Sequence, residues 1–241
     1  MSRVIVEIAV QDAAGARTAL TAGADRVELC QALETGGVTP SIGLIEAVCA
    51  AIGPDRVNVL VRPRGGGFVY DREETELVAA DVRAAVARGV GGVVVGALDT
   101  GGLLDRDAVR RWRDAAGTAA LVFHRAIDAT PFPEEVLEAL REENVDRVLT
   151  SGGAARSIDG VARLAAFVAR ADGALEIVAG GGVAPQDIPA LARAGVGAVH
   201  LSARRRGGLS APSGPGGGVE GHDVTDSALV VAAVAAAQSV S

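Results

Sequence analysis

Short apolar runs that end in a polar or charged residue recur about every 25 to 30 residues along the chain. Eight such runs are present, and they begin at Val4, Arg26, Val57, Val93, Leu121, Arg147, Glu176 and Ala198. The stretches between them are rich in Ala, Leu, Arg and Glu and have helical spacing. Strands that alternate with helices in this way are typical of parallel βαβ units.

Eight units of this kind predict a closed (β/α)8 TIM barrel, with residues 1–241 as a single domain. The chain is near the usual size of one barrel. The apolar run Ala228–Ala237 predicts the last barrel helix, starting at Asp223 or Thr225. The stretch 207–221, rich in Gly, Ser and Pro, predicts a flexible loop before this helix. This loop is either a lid over the barrel mouth or an ordinary linker.

Composition narrows the range of functions. The net charge of −7 argues against nucleic acid or an anionic membrane as a partner. The longest apolar run is about half of a membrane span. With two cysteines and no recognisable signal peptide, we expect a cytoplasmic protein with reduced thiols. All 23 basic residues are arginine, which excludes Schiff-base chemistry, covalent pyridoxal phosphate and a Walker A lysine.

Side chains of a barrel strand alternate between the interior and the helix layer. This alternation predicts that Glu7 and Glu28 point into the barrel, with Ala9 and Cys30 one step nearer the mouth. Asn58, Leu60 and Arg62 share the inward face of the third strand. His124 ends the fifth strand, and His200 with Ser202 forms the inward face of the eighth.

Two buried carboxylates need partners, because desolvation disfavours their charge. Arg62 and Arg64 are the predicted counter-charges, since arginine stays protonated and can bind a carboxylate with two hydrogen bonds. The Glu7, Glu28 and Arg62 group is then either a polar plug that fixes the barrel register or part of a reaction site. Its position near the carboxyl ends of the strands favours a reaction site.

The loops after strands seven and eight are where barrels often bind phosphate. Gly180, Gly181 and Gly182 follow strand seven, and Ser202 and Arg204 follow strand eight. Thr150 and Ser151 at the end of strand six add further hydrogen-bond donors. These residues predict an anion-binding site at the barrel mouth.

Seven motifs, in this order along the chain, resemble those of the CutC family, described as copper homeostasis proteins. They are Gly23–Cys30, Gly36–Ser41, Arg62–Gly66 with Phe68 and Tyr70, Phe123–Ala126 with Asp128, Leu149–Gly152, Gly180–Gly182, and His200 with Ser202–Arg204. The resemblance runs from about residue 4 to 204 and returns at Asp223–Thr225. It implies a cytoplasmic (β/α)8 barrel that forms a homodimer or a higher homo-oligomer and is associated with copper(I). It also adds Asp128 to the candidate site residues.

The resemblance implies a copper(I) site made of two cysteines, one on each of the first two strands. Cys30 matches the second cysteine, but Ala9 stands at the position of the first. Copper(I) is a soft ion that prefers at least two sulfur ligands, so the Ala9 substitution weakens the expected copper binding.

Two functions therefore follow from the sequence. The first is a CutC-like role in copper homeostasis, with copper(I) bound through Cys30. The second is an enzyme that acts on a small anionic or phosphorylated metabolite. In that enzyme Glu7 or Glu28 is the general acid or base, His124 or His200 is its partner, and Arg62, Arg64 and Arg204 hold negative charge.

Overall fold

The computed structural model describes residues 3–207 and 221–240 of the chain. Eight parallel strands form a closed barrel, in which each strand pairs with its neighbours in sequence and the eighth pairs with the first. The strands are β1 (Ile5–Val10), β2 (Arg26–Leu29), β3 (Val57–Leu60), β4 (Gly92–Val95), β5 (Ala120–Phe123), β6 (Arg147–Thr150), β7 (Glu176–Gly180) and β8 (Ala198–Leu201). The predicted (β/α)8 barrel is confirmed.

Helices alternate with the strands. They are α1 (Ala13–Thr21), α2 (Ile42–Ile52), α3 (Arg72–Val86), α4 (Arg106–Ala116), α5 (Pro133–Glu142), α6 (Val161–Ala171), α7 (Ile188–Arg193) and α8 (Ser227–Gln238). The predicted start of the last helix is wrong, because Asp226 is its N-cap. The Asp226 carboxylate accepts hydrogen bonds from the N–H groups of Ala228 and Leu229.

A two-stranded antiparallel ribbon, β9 (Arg204–Gly207) and β10 (His222–Thr225), stands between β8 and α8. The pattern of apolar and polar residues did not predict this ribbon. Of the stretch 207–221 predicted as a flexible loop, residues 208–220 lie outside the described residues. None of the described helices combines the length and the apolar character needed to cross a bilayer.

The strands alternate as predicted. Val6, Ile8, Val27 and Leu29 are completely buried in the large apolar core that includes residues of the helix layer. Ala9, Cys30, Leu60, Val94 and Val122 instead form a small apolar group of their own. Glu7 and Glu28 are also buried, with 4% and 6% of their surface exposed. The barrel therefore holds two carboxyl groups in a mostly apolar interior.

Candidate functional site

Glu7 lies at the centre of a buried polar network. Its Oε2 accepts hydrogen bonds from Arg26 Nε at 2.6 Å and from Asn58 Nδ2 at 2.8 Å. Its Oε1 is 2.9 Å from Nδ1 of His200. Burial alone would raise the pKa of Glu7, but the hydrogen bond from His200 and the charge of Arg26 lower it well below its usual range. Glu7 is therefore a fixed negative charge.

The prediction that Arg62 and Arg64 neutralise the interior carboxylates is wrong. The counter-charge of Glu7 is Arg26, which stands opposite it in the register of β1 and β2. Arg26 was missed although it has the same parity on β2 as Glu28. Alternation along the strand was the signal that could have found it.

Arg62 forms hydrogen bonds with backbone carbonyl groups of two loops. Its guanidinium donates to the carbonyl oxygens of Gly37 at 3.1 Å, Gly36 at 3.3 Å and Gly66 at 2.7 Å. It therefore ties together the loops that follow β2 and β3. Arg64 is much more exposed and forms an ion pair with Glu74 in the first turn of α3.

A cavity of about 250 Å³ opens at the carboxyl ends of the strands. Its wall includes Glu28, Arg62, His124, His200 and Ser202. Four of the predicted catalytic residues thus meet in one cavity, while Glu7 lies behind His200. The volume is slightly below the range of about 300–1,000 Å³ typical of small-molecule sites, so a bound ligand has to be small.

Glu28 is the carboxyl group of this wall. Its Oε2 is buried and has no hydrogen-bond partner among the described residues. Nδ1 of His200 is 3.9 Å away. Burial raises the pKa of Glu28 to about 7, helped by the negative charge of Glu7 and opposed by His200 and Arg26. Both protonation states of Glu28 are therefore populated near neutral pH.

The pKa values of the two histidines of the cavity are shifted in opposite directions. Burial and the nearby Arg62 lower the pKa of His124 to about 3, so His124 is neutral. Its Nδ1 accepts the N–H of Ala126 at 3.2 Å, which leaves the ring proton on Nε2. Burial opposes the charge of His200 as well, but Glu28 and Glu7 outweigh it and raise the pKa of His200.

Unpartnered polar atoms cluster at this cavity. Besides Glu28 Oε2, these are Nε2 of His124 and Nε of Arg62, each buried without a hydrogen-bond partner in the described chain. A buried polar group without a partner costs about 1–3 kcal/mol. Three of them around one cavity indicate a place where a ligand supplies the missing partners.

The Asp128 carboxylate accepts hydrogen bonds from the loop after β6 and does not line the cavity. It accepts hydrogen bonds from the Thr150 hydroxyl at 2.6 Å, the Ser151 N–H at 3.0 Å and the Gly153 N–H at 3.0 Å. The expected anion donors Thr150 and Ser151 are thus already bound to an anion of the protein itself. The donor that lines the cavity is instead Arg125. Its Nε donates a hydrogen bond to the Asp128 carboxylate at 2.8 Å.

The predicted role of Arg204 also needs correction. Its guanidinium forms an ion pair with Asp223 on β10 at 2.8 Å. It lines a small neighbouring cleft and not the cavity of Glu28. Ser202, Gly181 and Gly182 do line the main cavity, whereas Gly180 is the last residue of β7. Residues of the loops after β7 and β8 therefore line the cavity, but the arginine in its wall beside them is Arg125 and not Arg204.

Comparison with known proteins adds the family. The model of the CutC family matches residues 4–205. The CutC family protein of Xanthomonas campestris pv. campestris strain B100 is 42% identical over 206 residues, which cover 86% of this chain and 85% of that protein. The relative from Agrobacterium fabrum is 43% identical over 187 residues, or 78% of this chain and 74% of its own. This chain belongs to the CutC family.

A solved structure agrees with the sequence matches. The crystal structure of CutC from Streptococcus agalactiae, named provisionally as a copper homeostasis protein, superposes with a TM-score of 0.75 at 29% identity. The match covers 83% of this chain and 98% of the Streptococcus chain. The family fold is thus the barrel described above.

Cys30, the expected copper ligand, is not exposed to a ligand. Cys30 is completely buried, and its thiol lies 3.6 Å from the carbonyl oxygen of Val10 as a hydrogen-bond donor. Burial, with a contribution from the negative charge of Glu28, raises the pKa of Cys30, so the thiol stays protonated. Copper(I) binds thiolates. Cys30 thus lacks both the exposure and the charge of a copper ligand.

Another set of side chains is better arranged for a metal ion. Glu7, Glu28 and His200 each offer one ligand atom, and these atoms lie within 4.8 Å of one another. Two carboxylate oxygens and an imidazole nitrogen suit a divalent ion such as zinc or manganese better than copper(I). Glu7, however, already forms an ion pair with Arg26.

Proposed function

We propose that the cavity binds a small anionic metabolite and moves a proton on it, with Glu28 as the general acid–base group. The supporting observation is the set of three unpartnered buried atoms: one carboxyl oxygen that can take up or release a proton, and two N–H groups of His124 and Arg62. A base and hydrogen-bond donors around one small cavity are the parts that proton abstraction next to a carbonyl group requires.

In this reaction the Glu28 carboxylate takes a proton from the carbon beside a substrate carbonyl. The electron pair of the broken C–H bond forms a C=C bond, and the carbonyl oxygen takes the negative charge. The neutral His124 Nε2–H and the Arg62 Nε–H would stabilise that oxygen by hydrogen bonds. Glu28 then returns the proton to carbon, which closes the balance without a cofactor.

The pKa of Glu28 suits this role. A group that accepts a proton in one step and returns it in the next works best with a pKa near the working pH, and burial brings the pKa of Glu28 to about 7. His200 stands beside it with its ring held by Glu7. Glu7, fixed in turn by Arg26 and Asn58, is a positioning residue in this scheme.

The proposal predicts exchange of carbon-bound hydrogen with solvent. The protein is incubated in D₂O with a panel of small phosphorylated and carboxylated carbonyl compounds, and proton NMR follows the loss of C–H signals. At least one compound is expected to incorporate deuterium, and Glu28→Gln should slow this by about 100-fold or more. Glu34→Gln, which alters an exposed glutamate outside the cavity wall, is the matched control.

Two results would refute the proposal. One is that compounds which bind the protein, as judged by thermal stabilisation, show no exchange and no conversion. The other is exchange that continues unchanged in the Glu28→Gln variant.

Copper handling is the second candidate, favoured by the name of the Streptococcus relative and by the retained Cys30. With Ala9 beside it, we expect no tight copper(I) binding in competition with a copper(I) chelator. Ala9→Cys adds a second thiol to the same small apolar group and should create or strengthen binding. If the natural chain holds one copper(I) tightly and Cys30→Ser abolishes this, a single thiol suffices and copper handling gains the stronger claim.

A further inference from the structure

We propose that the metabolite carries a phosphate group, which binds where Arg125 packs against the turn that follows β7. This inference rests on the proposed function, because it assigns the substrate class of the same cavity. It involves residues to which the proton-transfer step gives no role. Arg125 and the turn at Gly181 and Gly182 form one part of the cavity wall, and Glu28 and His124 form another.

Arg125 is held in place before any ligand arrives. Its Nε donates to Asp128 at 2.8 Å and its Nη2 to the Ser151 hydroxyl at 3.0 Å. The third nitrogen, Nη1, donates to no acceptor in residues 3–207 and 221–240. The Asp128 side chain is only 9% exposed, whereas that of Arg125 is 42% exposed. A buried carboxylate thus fixes a guanidinium whose outer edge stays free for a ligand.

The turn after β7 is shaped to bring this guanidinium close to the backbone. Gly181 has a φ of +120° and Gly182 a φ of +60°, which favour glycine. A Cβ atom on Gly181 would lie 3.0 Å from Cζ of Arg125 and 3.1 Å from Cβ of Ser151. Only glycine therefore leaves Arg125 this close to the turn.

Donors for an anion accompany the arginine. In the described part of the chain, the N–H groups of Gly182 and Val183 meet no acceptor, and the hydroxyl of the exposed Ser202 forms no hydrogen bond. All three residues line the cavity. Consecutive free N–H groups in a glycine turn bind anions, and a guanidinium adds charge-assisted bonds.

The charged side chains of the cavity wall suit an anionic group. Among the described residues of the wall, Arg62 and Arg125 are positively charged and Glu28 is the one acidic residue. The carboxylate of Asp128 already accepts bonds from Arg125, Thr150, Ser151 and Gly153 and is not directed at a ligand. The turn, Ser202 and Arg125 together offer several hydrogen-bond donors. A phosphate monoester has three terminal oxygens to accept from these donors, whereas a carboxylate has two.

The test follows inorganic phosphate by NMR on the full ¹⁵N-labelled chain. Phosphate should shift the amide signals of Gly182 and Val183 in a saturable manner, beyond the effect of chloride or acetate at equal ionic strength. Arg125→Met should weaken binding by about tenfold or more. Arg204→Met, which removes the arginine paired with Asp223 in the neighbouring cleft, should leave it unchanged. If Arg125→Met does not fold, Arg125→Lys keeps the charge and is expected to weaken binding several-fold.

The inference is overturned if phosphate acts like chloride, if the Arg125 variants bind it as the natural chain does, or if Arg204→Met weakens it equally. Acetate that binds as tightly as phosphate would overturn the assignment to phosphate. Glu28→Gln removes an acidic side chain from the cavity wall and should therefore not weaken phosphate binding. If the protein catalyses deuterium exchange but does not bind phosphate, only the phosphate site is refuted. If it binds phosphate but catalyses no deuterium exchange, only the proton transfer is refuted.

Discussion

Arg26→Met is expected to lower the free energy of unfolding by about 3–5 kcal/mol, because it leaves a buried charge without its partner. The side chains of Arg26 and Glu7 are 15% and 5% exposed, and their atoms approach to 2.6 Å. Asn58 and His200 remain as hydrogen-bond partners of Glu7, but neither replaces a permanent positive charge. Urea denaturation at pH 7 measures the difference.

The matched control is Arg111→Met. Arg111 pairs with Glu76 at 2.7 Å, but both side chains are about half exposed, so this change should cost less than about 1 kcal/mol. Adding Glu7→Met to Arg26→Met removes both charges and should recover much of the loss. An Arg26→Met variant as stable as Arg111→Met would mean that Glu7 finds its compensation elsewhere.

Alternation along the strands was sufficient to predict the inward side chains. Glu7, Glu28 and Asn58 follow directly from the period of two, and His124 and His200 from their positions at the ends of apolar runs. These positions depend on backbone geometry, which a short sequence pattern reveals. The closed barrel and the meeting of four candidate residues in one cavity could therefore be predicted.

The partners of the arginines could not be predicted in the same way. A guanidinium lies several bonds from its backbone and can reach carbonyl groups of neighbouring loops as easily as a carboxylate. Arg62 binds the carbonyl oxygens of Gly36, Gly37 and Gly66, and Arg204 turns to Asp223 on a ribbon that the sequence did not reveal. Their contacts depend on loop conformation, which carries no periodic signal.

Asp128 illustrates a further limit. Thr150 and Ser151 were expected to bind a ligand, since they end a strand and offer several donors. The loop after β5 instead brings a carboxylate of the protein onto those donors. The same carboxylate positions Arg125, to which the sequence analysis gave no role. A contact between two loops that are distant in sequence is visible only in the folded chain.

The second large effect concerns Glu28 and the pH dependence of stability. Its pKa is about 7 in the folded protein, against an ordinary value of 4.5. Between these values the unfolded chain releases from Glu28 a proton that the folded chain keeps, so the contribution of Glu28 to stability falls as the pH rises. The stabilising contribution is complete below pH 4.5 and is lost by about pH 7. At 1.36 kcal/mol per pKa unit, the loss is about 3 kcal/mol.

Glu28→Gln removes the titrating group and therefore this loss. Relative to the natural protein, the variant should gain about 3 kcal/mol between pH 4.5 and pH 8, as measured by urea denaturation at several pH values. Glu34→Gln, at an exposed position, should follow the natural curve throughout. Parallel curves for Glu28→Gln and the natural protein would mean that Glu28 keeps its ordinary pKa in the folded protein and is ionised well below neutral pH. In that case Glu28 could not store a proton near neutrality, and the acid–base role proposed for it would fail together with the stability prediction.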